Sequence, residues 1–283
     1  PILHLFKDDY VTWGTDSEAI PLLKDNLFIY RLMALDFLTL QQLEHEYFDT
    51  VINLEKIPGI CALMKKIEAW KKFGFRLDPR TGEVKPHDKA FEALVVSSDP
   101  EAKKQNQKTH QELLFEMLGE KWKGEEPILG YRPKSQEIFD VALNTQIGAK
   151  WPTKSWPLEF WDKTEELLQK EGFKVTRQDK QNPKILSDLY LYMEWVNSSK
   201  LIISNDSLGL HLGIVLKKKV LGLFGPTPHK EVYFYGRGKA MLPQPIPDCL
   251  PCFEPSCQKK DICMRDITPE RVVNEVRELL TKN

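Results

Sequence analysis

Three turns in the second half of the chain hold the residue types that grip a phosphate. In Leu201-Ile-Ile-Ser-Asn-Asp-Ser-Leu-Gly-Leu-His211 an apolar run passes through Asn205-Asp206-Ser207 into a segment with helical spacing. A helix start presents unpaired backbone N–H groups and a partial positive charge, which suit an anion. Gly209 leaves room for a ligand to approach the backbone. Ser207 and His211 are four apart and share a face of any helix that runs through both. Asp206, Ser207, Leu208, Gly209 and His211 are therefore candidates for an anion pocket. An ordinary Asp/Ser helix cap followed by an incidental histidine accounts for the same residues.

The second turn is Asn144-Thr-Gln-Ile-Gly-Ala-Lys-Trp-Pro-Thr-Lys-Ser-Trp-Pro157. Thr145, Gly148 and Lys154 can supply a hydroxyl, an open backbone and a cation to one phosphate group. The competing reading is a solvated Lys154 in a structural loop, with Trp151 and Trp156 as packing anchors. The third is Gly222-Leu-Phe-Gly-Pro-Thr-Pro-His229, where Thr227 can hydrogen-bond a ligand, although turn structure alone explains Gly225 and Pro226. Cys249, Cys252, Cys257 and Cys263 follow with the spacing C-x₂-C-x₄-C-x₅-C. Four thiolates so close together can hold zinc or an iron–sulfur cluster. Their spacing matches neither the paired zinc pattern nor the ferredoxin run, and free thiols or a disulfide are the plainer expectation, so no metal is expected.

The elements that must position these turns alternate. In the first half, Tyr10–Trp13, Leu27–Leu32 and Asp49–Leu54 read as strands, and Ser17–Leu23, Phe37–Tyr47, Ile60–Trp70 and Lys108–Leu118 as helices. Asp78-Pro-Arg-Thr-Gly82 has turn chemistry. In the second half, strands at Ile138–Leu143, Phe173–Thr176, Leu201–Ser204 and Val220–Phe224 alternate with helices at Leu158–Lys170, Ser187–Asn197 and Leu208–Leu216. Thr268 is the expected N-cap of a final helix that carries Pro269 in its first turn. Alternation of this kind predicts two α/β units with parallel sheets, and ligands in such sheets bind beyond the carboxyl ends of the strands. Residues 1–125 form the expected first domain and 138–283 the second. The linker at 126–137 overlaps the Gly-, Pro- and charge-rich stretch from Gly119 to Pro133.

Composition narrows the classes. Of 283 residues, 41% are hydrophobic and 29% charged, the balance of a folded globular protein. The net charge of −1 gives no overall electrostatic case for nucleic acid. No apolar run reaches the roughly 18 residues of a membrane span, and the start does not read as a secretory signal. A soluble, cytoplasmic protein is expected. Dinucleotide and Walker-type phosphate motifs are absent, as is the Gly-x-Ser-x-Gly elbow of serine hydrolases.

Taken together and in order, the segments resemble glycosyltransferase family nine, the bacterial heptosyltransferases of lipopolysaccharide core. The matching stretches are NTQIGAKWPTKSWP, LIISNDSLGLHLGIVLKKKVLGLFGPT and CLPCFEPSCQKKDICMRDITPERV, with FDTVINLEK similar to the family's third-strand region. The resemblance is dense from about residue 138 and thinner toward residue 1.

It implies a GT-B fold, two Rossmann-like parallel-sheet domains facing a cleft. It also implies inverting transfer from a nucleotide-diphospho-sugar, typically ADP-heptose, with no essential metal. Thr145 and Lys154 would contact donor phosphates, and Asp206, Ser207, Gly209 and His211 would line the donor pocket. The acceptor would be a lipopolysaccharide-core glycan or glycolipid at the inner-membrane surface. Two departures stand out. Many members read Asp-Ser/Thr-Gly where this chain has Asp206-Ser207-Leu208-Gly209. The family also opens with a strand, a Gly-Asp loop that carries the proposed base, and a Pro-bearing helix. Pro1-Ile-Leu-His resembles that helix, so the base is unassigned and poor turnover by these residues alone is expected. Glu55 and Lys56, just after the third strand, are candidates to help bind an acceptor, and ordinary surface residues are the plainer expectation. A non-catalytic nucleotide-sugar-binding protein and a nucleotide-sugar epimerase on the same fold are the rival expectations.

Overall fold

The computed structural model describes residues 1–181, 187–259 and 261–281. The chain divides into two units, Pro1–Gly130 and Tyr131–Asn283.

In the first unit, β1 (Thr12–Thr15), α1 (Ile20–Leu23), β2 (Arg31–Ala34), α2 (Phe37–Glu44), β3 (Tyr47–Asn53), α3 (Pro58–Lys66) and β4 (Glu68–Leu77) follow in turn. They lead to β5 (Val84–Pro86), α4 (Phe91–Ser98), α5 (Pro100–Gln105) and α6 (His110–Met117). Two helices start on reciprocal capping boxes, Asp36 with Thr39 on α2 and Thr109 with Glu112 on α6. The expected single parallel sheet is instead two. β1 pairs with β2 in parallel, and β3, β4 and β5 form a separate three-stranded sheet. β5 runs antiparallel to β4 because the Asp78–Gly82 turn returns the chain directly, with no room for a crossover. The helix expected over Ile60–Trp70 stops at Lys66, and Trp70 lies in β4. The opening residues form a five-residue 3₁₀ turn, Ile2–Phe6, where a helix was expected.

The second unit holds β6 (Phe139–Asn144), α7 (Leu158–Lys170), β7 (Val175–Arg177), α8 (Gln178–Gln181) and α9 (Leu189–Asn197). After them come β8 (Ser199–Asn205), α10 (Leu208–Val215), β9 (Lys219–Leu223), β10 (Gly238–Met241) and α11 (Pro269–Thr281). The five strands are all parallel, in the order β10-β9-β8-β6-β7. A sheet covered on both faces reads as continuous apolar strands, and β6, β8 and β9 are buried almost throughout. On one face Val141, Leu143, Leu201, Ile203, Leu221 and Leu223 pack against Trp161 and Leu168 of α7 and Val272, Val273 and Val276 of α11. Each such aliphatic side chain contributes about 1.5–3 kcal/mol by leaving water. On the other face α10 comes close. A side chain at Gly213 would lie 2.5 Å from Ile202 Cγ2, so only glycine admits this approach. β10 is a strand that apolar patterning alone does not mark, since Gly238-Lys-Ala-Met241 is short and half polar. No helix among the described residues is long and apolar enough to cross a membrane.

Candidate anion site at the sheet switch point

β7 lies on one side of β6 and β8 on the other, so the strand order reverses between β6 and β8. A crevice opens beyond the carboxyl ends of the strands at such a point. Asn144 ends β6 and Asn205 ends β8, which places the loops carrying Thr145–Lys154 and Asp206–Ser207 side by side.

The two loops meet through charge. Lys154, on the 3₁₀ turn Pro152–Lys154, sets its Nζ 2.8 Å from Asp206 Oδ2 and 3.2 Å from the Asp206 carbonyl. Both side chains are only 16% exposed. Burial works to raise the Asp206 carboxyl, but Lys154, Thr227 and His211 overcome it and hold the group below its ordinary value. His211 Nε2 stands 3.8 Å from Asp206 Oδ1 on the exposed face of α10. The Thr227 hydroxyl is buried beside Asp206 and has no well-formed hydrogen bond among the described residues. Gly148 is exposed and meets nothing on its side-chain side, whereas Thr145 is tied in through its carbonyl, which accepts Asn205 Nδ2 at 3.2 Å.

Ser207 occupies the N-cap position of α10, yet no side chain caps the helix. Its hydroxyl joins a buried network. Asn144 Nδ2 donates to Ser204 Oγ at 2.9 Å and to Ser207 Oγ at 3.0 Å, and Tyr192 donates its phenol proton to Asn144 Oδ1 at 2.7 Å. Gly209 serves this network. A Cβ there would fall 2.5 Å from both Asn144 Nδ2 and the Tyr192 hydroxyl. The expectation that Gly209 makes room for a ligand is corrected on that side, because the protein's own side chains take the space. Leu208 is the exposed residue of the turn, at 44%. Sequence reasoning missed Asn144, Tyr192, Ser204 and Asn205. The available signal was an asparagine at the end of each of two otherwise apolar strands.

Of the two expected packing anchors, Trp151 is only half-buried and Trp156 lies in the core. Trp156 is buried, donates its indole N–H to the Ile267 carbonyl at 2.8 Å, and meets Trp161 edge to face at 4.9 Å. The cysteine loop touches the Lys154 loop and the Thr227 turn at successive residues. Thr153 Oγ1 donates to the Glu254 carbonyl at 2.6 Å, and Phe253 N donates to the Pro226 carbonyl at 3.0 Å. All four thiols of the loop are free. Burial, and then the neighbouring Cys252, Cys249 and Cys257, push the Cys263 thiol up to about 11. Among the described residues no three His, Cys, Asp or Glu side chains are grouped as metal ligands.

Part of this site lies in a segment that is similar to a known family. Residues 187–263, which include β8, the Asp206 turn and the cysteine loop, match the model of glycosyltransferase family 9 (heptosyltransferase). Lipooligosaccharide heptosyltransferase 2 of Campylobacter jejuni is 35% identical over 82 residues, covering 29% of this chain and 26% of that protein. Lipopolysaccharide heptosyltransferase 1 of Pseudomonas aeruginosa is 23% identical over 165 residues, with 47% and 46% covered. The chain thus matches about a quarter to a half of the length of these curated relatives. Among solved structures, Escherichia coli heptosyltransferase WaaC with ADP superposes at a TM-score of 0.63 with 13% identity, over 98% of this chain and 92% of that one. A family 9 glycosyltransferase from Veillonella parvula does so at 0.61 with 18% identity, over 100% and 92%. These likenesses give the fold as GT-B. The family segment lies on the switch-point loops, and over those residues the chain is similar to glycosyltransferase family 9 (heptosyltransferase).

Proposed function

We propose that the second unit binds the diphosphate of a nucleotide-diphospho-sugar, ADP-heptose, at the Asp206–Gly209 turn. The protein is then an inverting glycosyltransferase that moves the heptose to a lipopolysaccharide-core acceptor. The observation that carries this reading is the contact of Lys154 with Asp206, 2.8 Å, at an uncapped helix start. A cation and an uncapped helix start converge there, which is what a phosphate requires. Relatives named for heptosyl transfer, one of them solved with ADP, support the same donor and do not favour an epimerase or a purely binding protein.

In such a transfer the acceptor hydroxyl attacks the anomeric carbon opposite the diphosphate and gives its proton to a general base, to which no residue is assigned. The anomeric C–O bond breaks, and its electron pair leaves on the β-phosphate oxygen of ADP. Lys154 and the α10 start meet that growing charge, so the site needs no metal for this step. In this reading Thr145, Gly148, Ser207, Leu208, His211 and Thr227 line the donor side. Donors of this class are cytoplasmic, and a lipid-linked acceptor sets the reaction at the inner-membrane surface. Calorimetric titration of the chain with ADP, in excess chelator, tests the donor site. Saturable one-to-one binding is expected, and its absence rejects the reading.

A further inference from the structure

The hydrogen bonds beneath the turn run in one direction. Tyr192 is 2% exposed, and its phenol has the Asn144 carboxamide oxygen as acceptor, at 2.7 Å. That bond orients the amide, because a flipped Asn144 would turn its NH₂ onto the phenol and leave the buried hydroxyl proton without an acceptor. With the oxygen so engaged, the amide protons point to Ser204 Oγ at 2.9 Å and Ser207 Oγ at 3.0 Å. Ser204 gives its own proton to the Asn205 carbonyl at 2.7 Å. Within the turn, the Ser207 proton has only Ser204 Oγ, 3.2 Å away and already accepting from Asn144.

We propose that Asn144 and Tyr192 are positioning residues that fix the hydrogen-bond polarity of Ser207, so that its hydroxyl is an obligatory donor to a phosphate oxygen. This rests on the donor-site reading above and says how that site selects an anion. A charged oxygen acceptor outcompetes the long contact to Ser204, while a ligand offering a donor must share the Ser207 oxygen with Asn144 and leaves the Ser207 proton on that long contact. Gly209 fits independently. Its missing side chain is what lets the amide and phenol sit 2.5 Å from where a Cβ would be, directly under the turn.

The experiment is calorimetry of the whole chain with ADP and, separately, with adenosine. The variants are Tyr192→Phe, Ser207→Ala, Ser207→Thr and the Tyr192→Phe/Ser207→Ala pair. Tyr192→Phe keeps the ring packed and frees the amide to flip. It should weaken ADP about five- to ten-fold and leave adenosine unchanged. Ser207→Ala should cost a similar factor, Ser207→Thr should retain affinity, and the pair should be no weaker than Ser207→Ala alone. A merely structural Tyr192 would weaken both ligands and add its loss to that of Ser207→Ala. Either result, or an unchanged ADP affinity in Tyr192→Phe, overturns the proposal while wild-type binding stands. If wild type binds no ADP, the donor-site reading falls, and the proposal with it. If Tyr192→Phe does not fold, Asn144→Asp replaces it. A carboxylate there accepts from Ser207 and pulls its proton inward, so ADP should weaken more than ten-fold. Retained ADP affinity in Asn144→Asp overturns the proposal.

Discussion

Replacing Lys154 with alanine tests the charge logic of the site. Its ammonium lies 2.8 Å from one Asp206 oxygen, and both side chains are 84% shielded from water by their complementary 16% exposure. At an effective dielectric of about 20, opposite charges roughly 4 Å apart attract by about 4 kcal/mol. Most of that is offset by the desolvation of two largely buried ions. The pair therefore stabilises the empty protein only modestly, and Lys154 meets an incoming phosphate most favourably by keeping its contact with Asp206. Losing a charge-assisted bond to phosphate costs about 1–3 kcal/mol, or roughly five- to 150-fold in Kd. The upper half of that range is expected, because Asp206 stays behind as an unpaired carboxylate facing the phosphates.

That last effect has its own signature in pH. Among the influences that lower the Asp206 carboxyl, Lys154 comes first. Without it, burial prevails and the carboxyl titrates higher. Asp206 in the variant then neutralises at a higher pH than in wild type, and the repulsion fades with it. Isothermal titration with ADP over a falling pH series should show the gap between Lys154→Ala and wild type narrowing. Equal affinity of the two proteins at pH 7 would refute a phosphate role for Lys154. A wide gap that does not change with pH would refute the coupling through Asp206.

Gly209→Ala should destabilise the second unit by about 1–3 kcal/mol, read as a lower urea midpoint, since its Cβ would press on Asn144 and Tyr192 at 2.5 Å. Glu194 accepts from the Tyr131 hydroxyl and from the backbone N–H of Lys134 and Ser135, which pins the start of the second unit to α9. Burial opposes its charge, but these donors hold its carboxyl down at about 2. A depressed folded value means the stabilisation is complete above the unfolded value of about 4.5 and is lost as pH falls through about 2. Glu194→Gln should therefore lower the urea midpoint at pH 7 by the equivalent of about 1–2 kcal/mol. The deficit should shrink below pH 4, and equal midpoints at pH 7 would show the latch to be dispensable.

Much of the second unit was legible because it obeys local rules without conflict. α7 spans Leu158–Lys170 as the spacing of Trp161, Thr164 and Leu168 requires, and β8 and β9 are apolar runs buried on both faces. The first unit was harder to read. Ile60–Trp70 carries apolar residues at a spacing that suits a helix, but Ile67 takes an extended backbone and Glu68–Leu77 pairs in parallel with β3. Partner strands decide such a boundary, and a window of sequence does not contain them. The split into two sheets is likewise a matter of which edges meet, and β1 pairs with β2 alone among the described strands.

The site divides along the same line between local and non-local information. Lys154 and Asp206 could be nominated because each sits in a turn whose own chemistry attracts an anion, and parallel α/β topology brings such turns to one edge. Gly209 was read in the wrong direction for a related reason. A glycine in a phosphate-type turn looks like an opening for ligand, yet the space belongs to Asn144, 65 positions earlier, and Tyr192 from α9. Both are polar residues in apolar surroundings, where the spacing rules treat them as exceptions to a buried pattern. A buried amide held by a phenol and directed at two serines gives little net stability over an apolar core of the same shape. Its expense is justified where the orientation of a proton matters. For that reason the asparagines ending β6 and β8, more than the glycine, mark where this sheet is built to hold something.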